Sequence, residues 1–99
     1  MKKFNVPRKI KIGGHEIKVI YKNKIFEQKE ECFGVADKEN NVIYLAKGME
    51  KTRKMEIILH ESIHIMEGLY DFSLTEKEVT LLAVGLLALL RENKMDFTS

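Results

Sequence analysis

The stretch 56–68, EIILHESIHIMEG, decides how this chain is to be read. Met55, Ile58, Leu59, Ser62, Ile63 and Met66 recur at steps of three and four residues, the period of an amphipathic helix, and Gly68 is placed to end it. His60 and His64 stand one turn apart and project from the other side, with Glu56 and Glu67 along the same stripe. Two imidazoles at that spacing can present nitrogens to one metal ion. Glu61 lies about 100° further round, where a carboxylate can reach water at such an ion without binding the ion itself, the place of a general base. The chain has only three histidines, and a shuffled chain of this composition contains HExxH about once in a hundred trials. The spacing therefore argues for a metal, with Zn²⁺ the expected ion, over two unrelated core or surface histidines.

Beyond this helix the polar link YDFSLT leads to a last helix from about Thr75 to Asn93, with Thr75 as cap and Glu76 and Glu78 in the first turn. A catalytic zinc centre needs a third protein ligand. His15 lies beside a turn, and Glu67 and Tyr70 occupy the places where a metzincin carries its glycine and third histidine, so a carboxylate of the last helix is expected instead. Glu78 is the first choice, because it projects in line with Leu82, Leu86 and Leu89, a face expected to pack on the motif helix. Glu76 is the runner-up. Glu67 and Asp71 are weaker, Glu67 being better suited to orient an imidazole. Tyr70, ahead of Tyr44, is the candidate oxyanion stabiliser, with packing as the other role for both.

Toward the N-terminus the period shortens to two. RKIKIGGHEIKVIYK, residues 8–22, alternates charged residues with Ile10, Ile12, Ile17, Val19 and Tyr21 around Gly13-Gly14, the pattern of a hairpin. CFGVADKENNVIYLA, residues 32–46, places the runs 32–36 and 42–45 around a polar turn, a second hairpin. The connection 23–31 has no clear assignment. Two hairpins followed by two helices make an α+β fold, a small antiparallel or mixed sheet packed against helices. The full chain, 1–99, is expected to be one domain.

The single cysteine, Cys32, forms no internal disulfide and is expected to be a small packing residue. The longest apolar run, residues 79–90, is too short to span a bilayer. A cytoplasmic monomer is expected. Residues 1–24 carry eight Lys or Arg against one Glu, while the whole chain is only +2. Without interleaved aromatics that basic lobe reads as an exposed strand face, and nucleic acid is not favoured as a partner.

These motifs together resemble the small zincin-like metallopeptidases of phages and prophages, related to the ImmA/IrrE metallo-endopeptidase family. The resemblance rests on KIKIGGHEIKV, FGVADKENNVIYLA, LHESIH and EVTLLAVGLL, with Val79, Leu82 and Gly85 departing from the family's pattern in the last helix. It implies a minimal zincin-like domain and a zinc-dependent endopeptidase acting on a protein or peptide substrate. His60, His64 and Glu78 would be the metal ligands and Glu61 the base, with the strand 32–37 as the edge that holds an extended substrate. The alternative is a zinc-stabilised protein-interaction module without proteolytic activity, acting as a phage or prophage accessory protein.

Overall fold

The computed structural model describes residues 7–93, so residues 1–6 and 94–99 of the expected domain lie outside it. The order is β1 (Lys9–Ile12), β2 (His15–Lys22), β3 (Ile25–Glu27), β4 (Glu30–Cys32), β5 (Gly34–Asp37), β6 (Val42–Ala46), α1 (Lys51–Tyr70) and α2 (Glu76–Asn93). The architecture is α+β, with a mixed sheet ordered β1-β2-β6-β5 and a separate β3-β4 pair.

The first hairpin turns at Gly13 and Gly14, both at positive φ (56° and 83°), the geometry that a two-residue turn demands. Strand alternation then buries Ile12, Ile17 and Val19 and leaves Lys9, Lys11 and Lys18 exposed. The connection 23–31 proves to be a third, short hairpin, whose turn residues Gln28 and Lys29 both have positive φ. No glycine marks that turn, which is why its sequence carried no hairpin signal. The run 32–36 is divided: Cys32 ends β4, and β5 begins at Gly34.

β6 lies between β2, to which it is parallel, and β5, to which it is antiparallel, so β5 is an edge strand. The Phe33 carbonyl accepts from Ala46 N–H at 2.9 Å. Within an antiparallel pair the bonding residues alternate, so Gly34 and Ala36 turn their backbone groups outward, away from β6.

Helix α1 packs across the sheet, where Ile58 and Ile65 join Ile17, Val19, Ile43 and Leu45 in the main core. It runs past Gly68 to Tyr70, and Asp71 adopts the left-handed cap conformation (φ 56°, ψ 59°) in place of the expected glycine. The extension is held by Leu69, which packs on the core, while the Glu67 carbonyl accepts from the cap.

Helix α2 packs on α1 through Val79 and Ala83, which meet Ile63, Leu59 and Leu74. Its covered stripe is narrow: Val79, Ala83 and Leu87 are buried, whereas Leu81, Leu82, Val84, Leu86 and Leu89 are exposed. The expectation that the face of Leu82, Leu86 and Leu89 packs on the motif helix is therefore not met. No helix among the described residues is long and apolar enough to cross a membrane.

Candidate metal centre

Because α1 lies between the sheet and α2, the polar face bearing the histidines is enclosed rather than facing solvent. A cleft of about 600 Å³ opens there, lined by Cys32 from the β3-β4 pair, Gly34 and Ala36 from the edge of the sheet, His60, Glu61 and His64 from α1, and Glu76 from α2. His60 Nε2 lies 3.2 Å from one oxygen of Glu76, and His64 Nε2 lies 2.7 Å from the other. The two rings meet edge to face with centroids 5.1 Å apart, and one donor atom from each of the three residues falls within 4.8 Å of the others.

Glu76, and not Glu78, reaches the histidines. Glu78 is held elsewhere: its carboxylate accepts from Thr75 N–H at 2.8 Å, and the Thr75 hydroxyl accepts from Glu78 N–H at 3.1 Å. This reciprocal capping box fixes the start of α2. The choice of Glu78 assumed that Leu82, Leu86 and Leu89 face α1, but they are exposed, and the inward stripe is Val79 and Ala83. Glu76 precedes these by three and seven residues and so shares their side of the helix.

Glu67, 9 % exposed, binds His64 Nδ1 through one oxygen at 2.5 Å and accepts from Leu74 N–H through the other at 2.8 Å. Those contacts hold its carboxyl below the usual range, the Leu74 bond contributing most. With Nδ1–H donating to Glu67, a neutral His64 offers only a lone pair at Nε2, and the Glu76 oxygen facing it is an acceptor as well. Two acceptors at 2.7 Å require a proton or a cation between them. Without metal the proton serves: burial pulls the His64 pKa down, but the Glu67 bond and the charges of Glu61, Glu76 and Glu67 outweigh it and raise it.

Glu61 is 8 % exposed and lines the same cleft. Burial pushes its carboxyl up to about 7; Glu76 and Glu27 add to the rise, while His64 and a backbone hydrogen bond from Ala36 oppose it. A folded pKa above the ordinary 4.5 means that metal-free protein loses stability as pH rises from about 4.5 to about 7 and levels off above. The loss is on the order of 3 kcal/mol. Urea midpoints of the metal-free wild type and Glu61→Gln across this range should diverge with rising pH, and parallel curves would refute the buried-carboxylate account.

Gly34 makes this approach of strand to helix feasible. A Cβ there would stand 2.5 Å from Ile57 Cγ2 and 3.3 Å from Glu61 Cγ, and Ile57, β-branched on a helix, has little rotamer freedom. Gly34→Ala is expected to destabilise the fold by about 1–3 kcal/mol, measured by urea unfolding; a change near zero would show that β5 can retreat freely.

Tyr70 lies outside the cleft. Six residues beyond His64, it points about 120° away round the helix, and its hydroxyl packs on Gly13 at the β1–β2 turn. It therefore does not reach the position of an oxyanion stabiliser. Tyr44, on β6, packs under Lys22 and also does not line the cleft. His15 is exposed, and Glu56 pairs with Arg53 at 2.9 Å, away from the site.

Two imidazole nitrogens and a carboxylate oxygen fit the N/O donor preference of zinc, and three protein donors is the number found at catalytic zinc centres. No protein-family model, curated protein or solved structure matches this chain.

Proposed function

We propose that the chain is a zinc-dependent endopeptidase of the HExxH type, with His60, His64 and Glu76 holding the ion and Glu61 as general base. The observation that carries this reading is the convergence, in one cleft, of the three donors, a buried carboxyl with a pKa near 7 and the outward backbone of an edge strand. Zinc, when bound, supplies Lewis acidity that makes water acidic near neutrality and polarises a carbonyl.

The chain's own residues account for the remaining chemistry. Glu61, walled in by Gly34 and Ile57, takes a proton from the attacking water and returns it to the leaving amine, a cycle favoured by a pKa close to the working pH. Glu67 holds the His64 ring with Nε2 turned into the cleft. Gly34 offers its backbone groups and Ala36 its carbonyl to an extended peptide by strand addition, the Ala36 N–H being engaged by Glu61. The cytoplasm is the proposed compartment, in keeping with the lone free thiol of Cys32.

Zinc titration tests the site. Wild type should bind about one equivalent tightly, and His60→Ala and His64→Ala should each lose at least about a hundredfold in affinity, a quarter share of the typical total for a four-donor zinc site. Equal affinity in all three proteins would end the reading. The interaction-module alternative has one observation in its favour, the exposed leucines of α2. It predicts zinc-dependent stabilisation with no peptide hydrolysis.

A further inference from the structure

Helix α2 carries more apolar surface than its contact with α1 uses. From Leu81 to Leu90 it has no polar residue, yet only the stripe of Val79, Ala83 and Leu87 is buried. At 3.6 residues per turn, Leu81, Leu82, Ala88 and Leu89 lie within about 60° of Gly85, on the side of the helix turned away from Ala83. Leu81, Leu82 and Leu89 are 61, 46 and 47 % exposed, and Gly85 and Ala88 between them are exposed too. A contiguous face of that kind marks an interaction surface. Gly85 adds an independent observation. Among the described residues a Cβ there would meet nothing within 4 Å, so the fold of one chain does not require a glycine. Glycine nevertheless weakens a helix interior, and close approach of a second backbone is the circumstance in which its smallness is needed.

We infer that the face centred on Gly85 is the interface of an antiparallel two-fold dimer, α2 against α2 of a second copy, in place of the expected monomer. The face is complementary to itself in shape and in charge. A two-fold axis at Gly85 brings the two Gly85 backbones to closest approach, and the pairing is isologous. Leu82 then meets Leu89 of the second copy on one flank, and Leu81 meets Ala88 of the second copy on the other. Lys77 and Glu92 stand at opposite ends of the same helix, so antiparallel pairing brings unlike charges together twice, whereas parallel pairing would set like against like. The 18 residues of α2 make a rod about 27 Å long. Two such rods paired along their length bury on the order of 1,000 Å² in total, the lower bound for a specific interface, so the dimer is a weak one. Glu76 lies about half a turn round the helix from Gly85, which leaves the clefts of both copies open. The dimer does not depend on the endopeptidase reading.

Sedimentation equilibrium of the full chain tests this. Wild type should run near its monomer mass of 11.5 kDa at about 1 µM and approach twice that mass at about 500 µM, as a dissociation constant of some tens of micromolar requires. Gly85→Lys should stay monomeric over the same range, a loss of at least about tenfold in affinity from a charge placed at the centre of the contact. It should melt no lower than wild type, because its side chain enters open space and lysine is the better helix former. Lys77→Glu and Glu92→Lys should each weaken association by about three- to tenfold at low salt, the range for two symmetry-related exposed pairs. The double reversal Lys77→Glu/Glu92→Lys should restore it, a recovery that neither misfolding nor a parallel pairing can produce. Wild type that is monomeric at every concentration overturns the dimer and leaves the face to a different protein or to lipid. A dimer that survives Gly85→Lys overturns this interface, and a double reversal that stays weak overturns the antiparallel arrangement.

Discussion

Glu61→Gln is expected to lower peptide hydrolysis by about 10²–10⁴-fold, the usual contribution of a positioned general base, while leaving zinc affinity within a few-fold of wild type. The two effects separate because Glu61 is not among the three clustered donors. The amide is nearly isosteric with the carboxyl, so the packing against Gly34 and Ile57 survives, but it cannot take a proton. Removing a buried group whose charged form is disfavoured should also make the metal-free variant more stable than wild type at neutral pH. Parallel assays of turnover, zinc binding and urea unfolding therefore give three signatures from one substitution: lower, unchanged and higher. Unchanged turnover would remove Glu61 from the chemistry. Zinc affinity falling together with turnover would make Glu61 part of the metal site instead.

The second large effect distinguishes two carboxylates separated by one residue. Glu76→Ala should weaken zinc binding by roughly 10²–10³-fold, taking each donor's share of the binding free energy of a four-donor site as about 3 kcal/mol. Glu78→Ala should leave zinc affinity almost unchanged and cost about 1 kcal/mol of stability through loss of the capping box. Competition titration and urea unfolding of both variants measure the two responses. If the metal effect falls on Glu78 and the stability effect on Glu76, the geometry at the start of α2 is wrong, and the ligand set reverts to the one expected from the leucine stripe.

Resolution of this pair shows where the sequence stopped being sufficient. α2 is apolar on nearly every side, and periodicity alone offers at least two stripes, Leu82-Leu86-Leu89 and Val79-Ala83-Leu87. The smaller residues won, since valine and alanine permit close approach to Ile63 and Leu59, whereas the leucines remain exposed. Tyr70 is a similar case. Its nearness in sequence to the histidines suggested nearness in space, but six residues of helix turn it toward Gly13. The threonine three residues before Glu78 was a legible capping signal, one that could have reserved this glutamate for the helix end. Burial of Glu67 between His64 and Leu74 had no signal beyond its spacing along α1.

The sequence by itself determined the class of the fold and the imidazole pair, because both depend on local periods: two residues along a strand and 3.6 along a helix, with His60 and His64 one turn apart. Only the tertiary structure decided which carboxylate joins the two imidazoles and how far Glu61 is enclosed. Each of these depends on which face of one element meets another, a choice made by shape and burial among residues distant in the chain, where several apolar stripes are equally compatible with the same local pattern.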